Sequence, residues 1–285
     1  MKNLKWSQVA LTNFPYYKYS LKYTLDSLER IGAHNIEFYA AYPHLYLGDV
    51  SLADIKAIKK MLDDHHLQVI NFCPENCTYP VNAASTNAAT RYRSIAHYVT
   101  AIQAASEFES PNALFFPGYA LMDENQEDAW KRAVDTMGYL AGIAEAYGVR
   151  LILESAGLAA TVMNSAEKQM QMIREVGSPN VSGMVDLTCM RELGEDIEHC
   201  IATLGIENIH HIHFHNCVEL TPGRWEHRVP TDGVLDIAHI VHALDDAGFK
   251  GHFGCEVFGP YVAEPEKAML SYKKWFETMD LIRDI

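Results

Sequence analysis

The 285-residue sequence contains no uninterrupted run of about 18 apolar residues, so it predicts no membrane-spanning helix. Met1–Ala10 lacks the apolar stretch of a secretory signal. No Cys-x-x-Cys pair occurs, although six cysteines stand at 73, 77, 189, 200, 217 and 255. Cys73 and Cys77 flank Pro-Glu-Asn with no second pair to complete a zinc site. Scattered thiols without an export signal predict a reduced, cytoplasmic protein. Positive charge is scarce: 23 Lys and Arg face 37 Asp and Glu, a formal net charge of −14. A surface this acidic repels phosphate backbones, which argues against nucleic acid as a partner. Low-complexity tracts and sequence repeats are also missing.

What is present is a regular alternation of strand and helix patterns. Strands are expected at Lys5–Ala10, Asn35–Tyr39, Gln68–Phe72, Ala113–Phe116, Arg150–Leu153, Val181–Val185, Ile209–Phe214 and His252–Val257. Between them lie helical stripes such as Leu21, Leu25, Leu28 and Ile31, stopped by Gly32. Ser51 and Asp54 form a capping box for another helix. Trp130 and Met137 fall on the buried stripe of the helix expected over Glu127–Tyr147, which Gly148 ends. About eight such pairs in one chain of this length predict a single (β/α)8 barrel over residues 1–285. An open doubly wound sheet would carry a glycine-rich phosphate turn after its first strand. Leu11-Thr12-Asn13-Phe14-Pro15 has no glycine. The segment Asn216–Gly233 reads as one long loop, and loops of that length are usually functional.

The least ordinary strand is Ile209–Phe214. With side chains alternating faces, His211, His213 and His215 share one face, and His210, Ile212 and Phe214 the other. Imidazole is a common metal ligand and the usual proton carrier near neutral pH. In a barrel, chemistry sits at the C-terminal strand ends. Those ends, from the fifth strand onward, carry Glu154, Asp186, His213 and Glu256, each about one strand–helix unit from the next. A buried carboxylate has an ordinary reading as a helix cap or ion pair. Four ligand-type residues on consecutive strands point instead to a cation site. Three carboxylates with one imidazole suit a hard divalent ion, Mn foremost and Mg or Co as alternatives, better than a structural zinc.

The stretches Leu151-Ile152-Leu153-Glu154, Gly183-Met184-Val185-Asp186, His211-Ile212-His213-Phe214 and Gly254-Cys255-Glu256-Val257-Phe258 resemble those of the xylose-isomerase-like sugar isomerases and epimerases. The resemblance covers essentially the whole chain. It is closest to ketose 3-epimerases of the fructoselysine type, through Tyr42-Pro43-His44, the loop Cys73-Pro74-Glu75-Asn76-Cys77-Thr78-Tyr79-Pro80, and Ser178-Pro179. It implies that Glu154, Asp186, His213 and Glu256 bind the metal. It implies further that Glu154 and Glu256 exchange a proton at C3 of a ketose through a metal-bound ene-diolate. Family members are commonly dimers or tetramers, so the resemblance also implies a homo-oligomer and a small-molecule sugar substrate.

This sequence departs from that pattern in three places. Many ketose epimerases carry His three residues after the metal Asp, where Cys189 stands here. His227 falls where they hold substrate with Arg. Their Pro-Gly-x-Gly turn reads Pro230-Thr231-Asp232-Gly233. These changes leave metal binding intact and favour a modified sugar over a free ketohexose. The substrate contacts expected are His44, Glu75, Cys189, His215 and His227, with Tyr42 and Tyr79 as further wall residues. Glu37 is suited either to a sugar hydroxyl or to orienting a ligand histidine. His211 is expected to be an inner histidine with its hydrogen bonds satisfied.

Other functions fit the same scaffold. An aldose–ketose isomerase differs only in where the proton returns. A lyase α subunit acting on 3-keto C-glycosides would need a small partner subunit. An apurinic endonuclease would need further metal histidines and a basic face. A non-catalytic sugar-binding protein would not need the two glutamates.

Overall fold

Eight strands close into a parallel barrel, and the ladder order explains how ligands far apart in sequence meet. A computed structural model describes residues 1–157 and 161–285. The elements in chain order are β1 (Val9–Thr12), α1 (Leu21–Arg30), β2 (Asn35–Ala40), α2 (Leu52–Asp64), β3 (Gln68–Pro74), α3 (Ala88–Glu107), β4 (Asn112–Phe115) and α4 (Gln126–Ala146). There follow β5 (Arg150–Leu153), α5 (Ala166–Val176), β6 (Val181–Asp186), α6 (Leu187–Glu192), α7 (Ile197–Leu204), β7 (Ile209–His213), β8 (Asn216–Thr221), β9 (Arg224–Arg228), α8 (Ile237–Ala247), β10 (His252–Gly254) and α9 (Pro265–Glu277). The closed order is β1-β10-β7-β6-β5-β4-β3-β2, while β8 and β9 form a separate two-stranded sheet. No helix among the described residues is long and apolar enough to cross a membrane.

Side-chain alternation divides the core into two layers. Leu151 and Leu153 on β5 face outward into the helix-covered cluster with Phe38, Phe72 and Phe253. Ile152, Leu114 and Met184 face inward and stack inside the barrel under Phe14 and Tyr39. The helices begin where a short polar side chain accepts an otherwise orphaned amide. Ser51 accepts from Asp54 N at 3.2 Å and Asp54 Oδ2 accepts from Ser51 N at 2.9 Å. The left-handed glycine Gly177 at φ 67° stops α5.

Three expectations are corrected. The first strand is not Lys5–Ala10. Trp6–Gln8 forms a 3₁₀ turn, because the Gln8 amide is drawn across the barrel floor to Gly251 O at 2.7 Å while its oxygen accepts from Lys5 N at 2.8 Å. Pairing starts at Val9 and runs to Thr12. The last strand pairs only over His252–Gly254, so Glu256 lies just beyond the ladder rather than in it. Finally, Asn216–Gly233 is not a loop. Its first part is the antiparallel hairpin β8–β9, with Cys217 opposite His227 and Asn216 opposite Arg228. The hairpin is anchored by Asn216, whose Oδ1 accepts from Leu235 N at 2.9 Å and whose Nδ2 donates to Pro230 O at 3.2 Å.

Candidate metal centre and active site

The rim of the barrel brings all four predicted ligands onto one point. Glu154 follows β5 and is held there by its own N–H to Phe115 O at 3.1 Å. Asp186 ends β6 and caps α6, its Oδ1 accepting from Cys189 N at 2.6 Å. His213 ends β7. Its Nδ1 lies 3.0 Å from Glu154 Oε1, 2.9 Å from Glu256 Oε2 and 3.5 Å from Asp186 Oδ2. One ligand atom from each of the four lies within 4.8 Å of the other three.

The other side of the imidazole explains why these groups suit a cation. His213 Nε2 lies 3.2 Å from Glu37 Oε1, and His211 Nε2 lies 3.2 Å from Glu37 Oε2. Asn71 Nδ2 also donates to Glu37 Oε1 at 2.7 Å. All four side chains are buried. Glu37 accepts from Nε2–H, so the neutral ring turns its Nδ1 lone pair toward three carboxylates. That arrangement is repulsive unless a positive charge sits among them. A single proton on Nδ1 can serve only part of the three carboxylates, and Asp186 Oδ2 is buried without any hydrogen-bond partner among the described residues. A divalent ion would satisfy the imidazole nitrogen and all three carboxylates at once, and the oxygen-rich donor set fits it.

Ionisation follows the same logic. Burial pushes the Glu154 carboxyl up to about 7, with Glu256 and Asp186 adding to the shift and His213 opposing it. Burial would lower His213, but the Glu256, Glu37 and Glu154 carboxylates raise it well above the ordinary imidazole value. Burial also opposes ionisation of Glu37 and Asp186, yet neighbouring imidazoles hold both well below the usual carboxylate range. Gly254, beside His213 in the ladder, makes room for the support: a Cβ there would meet Glu37 Oε2 at 1.6 Å.

A cavity of about 550 Å³ opens over this cluster, within the range of small-molecule sites. Glu154, His213 and Glu256 line its floor. One wall is aromatic, with Phe14 stacked on Tyr39 at 4.3 Å and Phe258 edge-on to Phe14 at 5.2 Å. No Lys or Arg lines it among the described residues.

Of the five expected substrate contacts, Glu75 lines the cavity, whereas His44, Cys189, His215 and His227 do not. Glu75 lines the cavity, but its Oε1 accepts from Cys77 N at 2.5 Å and Thr78 N at 2.7 Å, and Oε2 accepts from the Tyr39 hydroxyl. It braces the loop as well as facing the space. His215 packs under the hairpin, its Nε2 2.8 Å from Thr188 Oγ1, and its ring is stacked on His227 at 4.2 Å. His227 Nδ1 comes within 4.0 Å of Glu256 Oε2. Cys189 sits beside Asp186 at the start of α6. His44 does not line the cavity. Its ring is buried, with Nδ1 2.8 Å from Asn13 Nδ2 and Nε2 3.1 Å from Tyr19 O, and burial lowers it to about 4. The Tyr42-Pro43 bond before it is cis, and Tyr42 rather than His44 reaches the cavity mouth. Sequence reasoning missed Asn71 and the wall of Phe14, Tyr39 and Phe258. A Glu at position 37 between Ile36 and Phe38 was the one visible sign of the network that Asn71 joins.

With the geometry in hand, the relatives are informative. The chain belongs to the xylose isomerase-like TIM barrel family, whose model matches residues 25–279. Inosose isomerase of Bacillus subtilis (strain 168) is 29% identical over 162 residues, covering 55% of this chain and 57% of that protein. D-psicose 3-epimerase of Ruminiclostridium cellulolyticum is 29% identical over 130 residues, covering 45% of this chain and 41% of that one. The chain thus spans about half the length of these curated relatives. A crystal structure of the IOLI protein with a bound zinc atom superposes with a TM-score of 0.79 at 21% identity, covering 95% of this chain and 97% of that one. This last likeness is one of fold.

Proposed function

We propose that the chain is a divalent-metal-dependent sugar epimerase acting at C3 of a ketose or ketose derivative of the fructoselysine kind, with Mn as the ion. The observation that carries this reading is the approach of Glu154 and Glu256 to the same His213 nitrogen, at 3.0 and 2.9 Å, from β5 and from the end of β10. A divalent ion bound there would supply Lewis-acid stabilisation of the negative charge that develops on substrate oxygen. Glu154, Asp186, His213 and Glu256 would hold it.

Each glutamate has a second oxygen. That oxygen of one glutamate removes the C3 proton, and that of the other returns a proton to the opposite face of the planar ene-diolate. Glu154, pushed up to about 7, is matched to proton exchange near neutral pH. Phe14, Tyr39 and Phe258 shield the reacting carbon from bulk water and offer apolar faces to a sugar. Likeness to a ketose 3-epimerase and to an inosose isomerase supports a sugar substrate. The same reading includes a homo-oligomeric, cytoplasmic protein.

The test is deuterium incorporation. A panel of ketoses and glycated amino acids is incubated with Mn-loaded protein in D2O. Deuterium at C3 with inversion is the expected result. Deuterium at C1 or C2 replaces the epimerase with an aldose–ketose isomerase. No incorporation with any member of the panel overturns the reading.

A further inference from the structure

The opposite end of the barrel carries a second cavity, of about 330 Å³, among the first residues of β4, β5, β7 and β10. Arg150 opens β5, His210 is the second residue of β7, His252 opens β10, and Lys250 lies two residues before it. No aspartate or glutamate lines this space among the described residues. That is unexpected in a chain with 37 acidic and 23 basic residues.

The cations are also uncommitted. Arg150 donates one N–H to Pro179 O at 3.1 Å. Among the described residues, neither Arg150 nor Lys250 forms an ion pair with a carboxylate. His210 Nδ1 is buried and has no hydrogen-bond partner among the described residues. His252 Nδ1 faces Asn112 Nδ2 at 3.4 Å, which leaves its Nε2 as the N–H. Burial, followed by repulsion from Arg150, keeps the His210 imidazole below its ordinary value. An anion beside Arg150 removes that repulsion, and the protonated ring then donates through Nδ1. Grouped cations and an orphaned buried nitrogen are unfavourable on their own. The N-terminal face of such barrels ordinarily serves stability rather than chemistry.

We propose that this cavity binds the phosphate group of a small anion, at a site separate from the carboxylate cluster. Arg150 offers a planar fork of donors and Lys250 a point charge, the usual pair for phosphate. His210 and His252 add donors from two further strands, which suits the spread of oxygens on a tetrahedral anion better than a flat carboxylate. The strands β5, β7 and β10 that carry these residues lead at their other ends to Glu154, His213 and Glu256.

The test is calorimetric titration of inorganic phosphate into the full chain, with ionic strength held constant by chloride and with acetate as a parallel arm. Saturable binding of one phosphate per chain is expected. Arg150→Ala and Lys250→Ala should each weaken it roughly tenfold to a hundredfold, as loss of a charge-assisted hydrogen bond does. Glu154→Gln should leave it unchanged. If Arg150→Ala misfolds by circular dichroism, Lys250→Glu at the exposed edge provides the same readout by charge reversal. No saturable binding, equal binding of acetate, or undiminished binding by the Arg150 and Lys250 variants overturns the proposal.

Discussion

Glu37 Oε1 and His213 Nε2 stand 3.2 Å apart inside the barrel, and this contact decides what the rim can hold. It fixes the ring with Nε2 as donor and Nδ1 turned toward Glu154, Asp186 and Glu256. A carboxylate on the far side also makes the imidazole a better ligand. Glu37→Gln keeps the shape but turns an amide N–H2 toward Asn71 or a histidine N–H. We expect metal affinity to fall about 10- to 100-fold, measured by competition with a chelator. Unchanged affinity would show that Glu37 does not set the tautomer.

Proton linkage gives the second prediction. In the metal-free protein, Glu154 sits near 7 against an ordinary 4.5, and His213 is raised as well. Between 4.5 and about 7 the folded chain holds a proton on Glu154 that the unfolded chain has released. Folded-state stability therefore falls as pH rises through that window. The raised His213 acts in the same direction: its contribution is full below the ordinary imidazole value and is lost as pH climbs through the folded one. The ion displaces these protons, so its affinity should increase by up to about one decade per pH unit for each proton released. Melting curves from pH 5 to 8, with and without Mn, check this. The metal-induced rise in Tm should grow with pH, and a rise that shrinks with pH contradicts the assignment.

The two glutamates are expected to be indispensable to turnover. Glu154→Gln and Glu256→Gln preserve volume and a carbonyl oxygen, so the fold should survive. Each should lower kcat by on the order of 10² to 10⁴, the usual loss for a missing general acid–base. In D2O, one variant should wash deuterium into substrate of one configuration without releasing epimer. A metal-loaded Gln variant that epimerises near the wild-type rate would remove the two-base mechanism.

The hairpin should govern selectivity. His227 lies on β9, stacked on His215 and 4.0 Å from Glu256 Oε2. His227→Ala removes the ring that packs between His215 and Glu256 while leaving the four ligands in place. We expect KM to rise, or the order of preferred sugars to change, with metal content unaltered. An identical substrate profile across the panel would count against a role in selection.

The sequence by itself determined the strand–helix alternation, since apolar periodicity and capping residues act over a few positions. It also determined that His211 and His213 share a face, because strand side chains alternate whatever the partner strands are. Glu154, Asp186, His213 and Glu256 were legible as a set for a similar local reason: each stands at or just past a strand end, about one strand–helix unit from the next.

Tertiary structure decided the rest. The pairing of β1 with β10 closes the barrel, and only closure brings Glu37 of β2 against His211 and His213 of β7. His44 sits next to the cavity-lining Tyr42 in sequence, yet Asn13 and Tyr19, from another segment, draw its ring into the interior. The hairpin β8–β9 has mostly polar, half-exposed strands without a clean apolar alternation, so nothing local distinguishes it from a loop. Its register depends on Asn216 reaching Pro230 and Leu235, a bond that exists only once the chain has folded back.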